Sequence, residues 1–247
     1  MKLSFIIPAF NEAKWIEDCL RQIATAVAAC RAGSAGPCDD FEVEYVVVDN
    51  NSSDDTAERA GNAGALVVFE PVNQISRARN AGAKAASGDW LVFVDADSEL
   101  SPGLLGDVLA LIAGGGHVGC GSLMEMSGMP RLARWSLAAW SWLSKTLNWA
   151  AGSFVVCRAD VFAELGGFSD ELFVAEEVDF SRRIKKYARR HNSRFVVLRD
   201  HPLVTSNRKV GLYSDTELAR QMLRLVFRPR KTMRDKAALD VWYDGRR

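Results

Sequence analysis

Residues 88–98 read GDWLVFVDADS. Trp90–Val94 is an unbroken apolar run, and two carboxylates one residue apart, Asp95 and Asp97, follow it at once. In open α/β sheets, ligands bind beyond the carboxyl ends of the strands. A strand in this position would therefore present hard oxygen donors at a rigid edge. Such pairs hold Mg²⁺ or Mn²⁺, which complete their shell with substrate phosphates and water. A lone Asp-x-Asp is more often a plain turn. Its weight here comes from the chain on either side.

Upstream, Lys2–Ile7 is a short β-branched and aromatic run closed by Pro8. Asn11–Ala29 then places Trp15, Ile16, Cys19, Leu20, Ile23 and Val27 at helical spacing. Val43–Val48 is a near-continuous apolar run, as in strands buried on both faces. Asp54–Ala63 predicts a helix with an acidic first turn, Leu66–Phe69 a strand and Ser76–Ala86 a helix. Strands alternating with helices in this way indicate βαβ units and a parallel sheet. Downstream the expected elements are a helix at Pro102–Ala113, a strand at Val118–Met124 and a Trp-rich segment at 131–149. A strand at Phe154–Cys157, a basic helix at Glu177–Arg190, a short strand at Phe195–Leu198 and a helix at Thr216–Phe227 complete the set. The expectation is one α/β domain over 1–227, a Rossmann-like, mostly parallel sheet flanked by helices. Residues 228–247, with seven Lys/Arg against three Asp, form a basic, loosely held tail.

Three predicted strand ends carry polar clusters: Pro8-Ala9-Phe10-Asn11-Glu12, Asp49 to Asp55, and Asp95-Ala96-Asp97-Ser98. Asp54 or Asp55 suits a helix cap. Ser76-Arg77-Ala78-Arg79-Asn80-Ala81-Gly82 opens a helix with arginines, which grip phosphate in a bidentate fork; alternatively it is a solvated face whose Gly82 allows close packing. Later, Glu176, Glu177 and Asp179 crowd a helix N-terminus. They are either dipole-favoured caps or a source for a general base aimed at a hydroxyl.

The ordered set FIIPAFNE, VVVDNNSSDDT, ARNAG, GDWLVFVDADS, GGFSDELF and EEVDFSRR resembles family 2 of the inverting nucleotide-sugar glycosyltransferases, over roughly residues 3–185. The resemblance implies the GT-A fold, with residues 1–100 as the donor half and 101–227 as the acceptor half. It implies that Pro8, Phe10, Asn11, Glu12 and Asp49 line the nucleotide pocket, with Arg79 near the diphosphate. Asp95 would lie near ribose and metal, and Asp97 would ligate the metal. Where the family writes Glu-Asp and uses the Asp as base, this chain has Glu176-Glu177, so Glu177 is the matching base and Glu176 the alternative. His201 stands where some relatives place a further metal contact. Trp149, Gly152, Asp179, Arg183 and Arg208 are weaker candidates for acceptor or diphosphate. The donor implied is a nucleotide-sugar, UDP favoured by family habit, and the acceptor is a carbohydrate or lipid-linked hydroxyl. Gln221 and Arg224 partly match the Gln-x-x-Arg-Trp motif of processive relatives, but Leu225 replaces the Trp.

Composition removes other classes. Thirty-one Lys/Arg balance 31 Asp/Glu, so no chain-wide positive field exists to draw nucleic acid. With 48% hydrophobic residues, disorder is excluded. Five scattered cysteines without a CxxC pair suit a reducing compartment, and no apolar stretch is long enough for a membrane span. A cytoplasmic protein is expected. Trp135, Trp142 and Trp149, seven apart, are core, an acceptor wall or a membrane-facing stripe. The basic run from Arg182 to Arg194, with the tail, suits contact with the inner face of an anionic membrane. A dehalogenase-type phosphatase would place its Asp-x-Asp after the first strand. A sugar nucleotidyltransferase needs a Gly-rich basic loop that PAFNEAKW lacks. A catalytically degenerate binding module is the remaining alternative.

Overall fold

The computed structural model describes residues 1–33, 40–126 and 153–206, together with 217, 220, 224 and 232–239. The element order begins β1 (Lys2–Ala9), α1 (Ile16–Arg31), β2 (Glu42–Asp49), α2 (Thr56–Asn62), β3 (Leu66–Phe69), α3 (Ile75–Ala85) and β4 (Trp90–Val94). It continues with β5 (Ser98–Glu99), α4 (Pro102–Ala113), β6 (His117–Met126), β7 (Phe154–Arg158), α5 (Ala159–Glu164), α6 (Glu176–Arg190) and β8 (Arg194–Thr205). All eight strands join one sheet in the order β3-β2-β1-β4-β7-β6-β8-β5. β3, β2, β1 and β4 run parallel, as do β6 and β8, whereas β7 is antiparallel to both its neighbours.

Alternation along the strands sorts side chains to two cores. Leu3, Phe5, Ile7, Val47, Trp90, Val92 and Val94 face α1, α2 and α4. Ile6, Val46, Val48, Leu91 and Phe93 face α3, α5 and α6. All five residues of β4 are buried, as a strand covered on both faces demands. Helices form where the apolar spacing supplies one buried stripe: Ile16, Cys19, Leu20, Ile23, Val27 and Cys30 on α1. α4 has Pro102 in its first turn, and Ser101 Oγ accepts from Leu104 N at 3.1 Å. α3 lies unusually close to the sheet because Gly82 has no side chain. A Cβ there would come within 2.5 Å of Ile6 Cγ2 and 2.9 Å of Val48 Cγ2. Close packing is thus the structural use of Gly82.

The order places a topological reversal between β1 and β4, since the chain builds outward from β1 through β2 and β3 and then returns to β4. The β1–β4 pairing ends at Ile6↔Phe93, while β1–β2 continues to Ala9↔Asp49. Ala9 O accepts from Asn50 N on the β2 side. The main chain of Pro8 therefore points toward β4, past the last pair, where a missing N–H leaves no ladder bond unmade.

Three expectations need correction. β8 runs for twelve residues, far beyond Phe195–Leu198. Exposed Arg199, Asp200 and His201 mask its continuation, and the β6–β8 register shifts between Ser122 and Met124. α1 starts at Ile16, because Asn11 sits at φ 55 and residues 12–15 form a turn. The C-terminal stretch 232–239 is not loose: Phe173 N donates to Met233 O at 2.8 Å, Lys236 Nζ to Asn73 O at 2.8 Å, and Leu239 is fully buried. α5 and the two-residue β5 are too short to show a periodicity in the sequence. Most of 216–227 and the rest of the tail lie outside the described residues.

Candidate active site

β1, β2 and β4 end side by side at the reversal, and the turns after them carry the polar clusters. The first two turns are stitched together. Asn11 N donates to Ser52 Oγ at 3.0 Å, Asn11 Oδ1 accepts from Ser53 N at 2.8 Å, and Glu12 N donates to Thr56 Oγ1 at 2.8 Å. Asp54 closes the join by accepting from Ala13 N and Thr56 N, at 3.2 and 3.1 Å. Asn11 and Asn51 hold left-handed backbone, φ 55 and 67, which asparagine tolerates best among residues with side chains. The result is a rigid floor on which Phe10 and Asn11 are half-buried and Glu12 and Asp49 are buried. Asp49 Oδ1 accepts from Ser52 N at 3.0 Å.

The third turn is tied to more distant parts of the chain. Asp97 accepts from Ser206 through both its main chain, at 3.2 Å, and Oδ2, at 3.1 Å. Asp95 Oδ1 accepts from Arg79 Nη2 at 3.0 Å, and the other arm of that guanidinium, Nη1, donates to Glu176 Oε1 at 2.6 Å. Arg79 is the one buried cation among the described residues, and it also lies over the Phe168 ring, 5.5 Å from its centroid. Its Nε is buried without a hydrogen-bond partner. One guanidinium thus serves carboxylates from the end of β4 and from α6. Burial, then the charge of Glu177, pushes the Glu176 carboxyl up to about 8 against the pull of Arg79. The Cys19 thiol lies 3.9 Å from Asp95 O, and burial, then the charges of Asp97, Asp95 and Glu12, push it up to about 12.

Those donors fit a divalent cation. Mg²⁺ and Mn²⁺ take one or two protein carboxylates and fill the remaining positions with phosphate oxygens and water. Asp95 and Asp97 meet that need at a rigid strand end, in a field of surplus negative charge. A cage of three or more His, Cys, Asp or Glu ligands is not formed among the described residues. His201 is directed elsewhere: its Nδ1 lies 2.9 Å from Asp107 Oδ2 on α4, and its ring packs over Gly103. It is not brought to Asp97.

Arg79 braces Asp95 to Glu176 through one N–H from each terminal nitrogen, which leaves it a further N–H on both. Of the two late glutamates, Glu176 is buried on Arg79 and Glu177 is half-exposed. Asp179 and Arg183 are engaged with each other at 2.7 Å. Arg183 further donates to Leu165 O and Gly167 O, at 2.9 and 2.7 Å, so the pair buttresses the loop before α6. Its i, i+4 spacing was the sequence signal for that pairing. Trp149, Gly152, Arg208 and the tryptophan stripe lie outside the described residues. The exposed Arg182, Lys186, Arg189 and Arg190 lie on the outer side of α6, away from its buried Phe180, Ile184 and Ala188.

Comparison with known proteins decides the family. The model described as "Glycosyl transferase family 2" matches residues 4–162, more than half of the chain. The chain belongs to glycosyl transferase family 2. This family 2 chain is 36% identical over 146 residues to an uncharacterised glycosyltransferase of Mycobacterium tuberculosis, covering 58% of this chain and 60% of that one. It is 31% identical over 127 residues to a dolichol-phosphate mannosyltransferase of Pyrococcus furiosus, covering 49% of this chain and 33% of that one. The matches thus span under two thirds of these relatives' own length. Among solved structures, a mannosyltransferase of Pyrobaculum calidifontis in complex with GDP-Man and Mn²⁺ superposes with a TM-score of 0.63 at 20% identity, covering 98% of this chain and 68% of that one. S. aureus TarS with UDP-GlcNAc gives 0.62 at 21% identity, covering 99% and 71%. These likenesses establish the fold as GT-A. Among the described residues, no helix is long and apolar enough to cross a membrane.

Proposed function

We propose that this chain transfers a sugar from a nucleotide-diphosphate donor to an acceptor hydroxyl, by single displacement with inversion at the anomeric carbon. The observation that carries the proposal is the convergence at the β1/β4 reversal of Asp95 and Asp97 with the Glu176-Glu177 corner of α6, joined through Arg79. Structural neighbours in complex with UDP-GlcNAc, or with GDP-Man and Mn²⁺, support the donor class. Asp49 and the Phe10–Glu12 turn form the floor for the nucleoside. A divalent cation held by Asp95 and Asp97 would supply charge neutralisation for the departing diphosphate. Arg79 keeps Asp95 and Glu176 in fixed relation. Glu177, half-exposed where Glu176 is spent on Arg79, accepts the proton of the attacking hydroxyl. The basic outer side of α6 supports placing the enzyme on the cytoplasmic face of an anionic membrane, in reach of a lipid-linked acceptor.

The test is Glu177→Gln with UDP-glucose and Mn²⁺, following UDP release and the anomer formed by proton NMR. Turnover falls about 10²–10⁴-fold with nucleotide affinity retained, as expected for loss of a general base. The wild-type product carries the anomeric configuration opposite to the donor's. Near-wild-type turnover in Glu177→Gln would remove it as the base.

A further inference from the structure

We propose that Gln74 is a positioning residue for the Glu176-Glu177 corner, linking it through Asn50 to the end of β2. The inference rests on the glycosyl-transfer reading above. Gln74 is 3% exposed, and its side-chain nitrogen donates to two main-chain carbonyls of the α5–α6 loop, Asp170 O at 2.7 Å and Leu172 O at 3.0 Å. Both partners are acceptors, and among uncharged side chains an amide NH₂ can satisfy them at once. The main-chain N of Gln74 in turn donates to Asn50 Oδ1 at 2.9 Å. Asn50, 4% exposed, donates from Nδ2 to Glu70 O and Val72 O, at 3.2 and 2.6 Å. Two buried amides, each bridging two carbonyls, therefore run head to tail from the residue after Asp49 to the loop before Glu176.

That loop needs holding. Ala175, immediately before Glu176, sits at φ 63, a left-handed conformation costly for a residue with a Cβ and kept only where the surroundings dictate it. Asn80 fixes the loop's beginning through Phe168 and Asp170, and Met233 meets Phe173. Gln74 supplies the pins between them and alone among these connects to the donor half's strand end. A shift of the loop would pull the Glu176-Glu177 corner against the Arg79 brace and move Glu177 relative to Asp95, while leaving the nucleoside floor, built from the 11–13 and 49–56 turns, in place. Misplacement by about 1 Å costs on the order of 10²-fold in rate.

Gln74→Met keeps the chain length and removes both donors. Three readouts apply: UDP binding with Mn²⁺, amide exchange by peptide, and UDP release from UDP-glucose. Binding stays within about twofold, exchange in 168–177 quickens by about tenfold or more with β1 and β2 unchanged, and kcat drops about 10–100-fold at constant donor KM. Wild-type exchange in 168–177 with unchanged kcat would overturn the proposal. So would a loss spread evenly over the protein together with weaker UDP binding, since that marks a general fold role. If Gln74→Met does not fold, the wild type answers: UDP with Mn²⁺ slows exchange in 168–177, and no slowing despite UDP binding contradicts the link. A wild type that neither binds UDP nor turns over UDP-glucose defeats the choice of UDP as donor nucleotide, and the exchange arm on Gln74→Met still decides the clamp.

Discussion

At the amino end of the sheet, Glu44 meets four donors. Oε1 accepts from Ser4 Oγ and Ser87 N, both at 2.5 Å, and Oε2 accepts from Ser87 Oγ at 2.8 Å and Lys2 Nζ at 2.7 Å. At the carboxyl end, Asp95 and Glu176 divide one guanidinium, with Asp97 and Glu177 adjoining them in the chain. Burial would raise the Glu44 carboxyl, but its hydrogen bonds from Lys2, Ser4 and Ser87 hold it at about 2. Glu176 moves the other way, to about 8, because burial and Glu177 outweigh Arg79. The same chemical group is thus matched donor for donor where it only holds strands together, and is left in excess where the fold can receive a cation. Carboxylates crowded round one cation cost stability, and their place at the topological reversal is the ground for proposing that end as the functional one.

The largest break in this contrast comes from Arg79→Met. It leaves buried Glu176 and half-buried Asp95 without their cation and should cost about 3–5 kcal/mol. Glu176 binds its proton more tightly folded than unfolded between its ordinary 4.5 and about 8, so wild-type stability declines as pH climbs through that window. Without Arg79 the decline steepens. Chemical denaturation of both proteins at pH 5 and pH 8 measures it, and a loss equal at the two pH values would contradict the shared-guanidinium account. Glu44→Gln is the smaller effect, about 1–3 kcal/mol from its mismatched donors. Because the folded value of Glu44 is depressed, its contribution is whole above 4.5 and fades as pH drops toward about 2. Mutant and wild type should therefore converge in acid. Nucleotide binding should be untouched, and a metal-dependent binding defect in Glu44→Gln would erase the distinction between the two ends.

The strand carrying Asp95 and Asp97 was legible because its apolar run and its acids are contiguous; β3, β4 and α4 fall where the pattern put them. The brace was not. Arg79 and Glu176 lie 97 residues apart, and nothing in ARNAG says which carboxylates will enclose the arginine. Asp179 and Arg183 pair with each other, a partnership that their i, i+4 spacing already suggested. His201 was placed by position alone, and the fold gives it Asp107. β8 was shortened on paper because three exposed polar residues interrupt its apolar alternation, while its main chain still pairs with β6.

The central claim is that the β1/β4 reversal binds a nucleotide through a divalent cation held by Asp95 and Asp97. A thermal-shift panel of UDP, GDP, dTDP and CMP, with and without Mn²⁺, tests it most directly. Ligand at a hundredfold excess over its dissociation constant adds about 2.7 kcal/mol to the native state. The account predicts a rise in melting temperature with one of these nucleotides, seen only with Mn²⁺ and abolished in Asp97→Ala. No rise with any of them, or one that persists without metal and in Asp97→Ala, would contradict it.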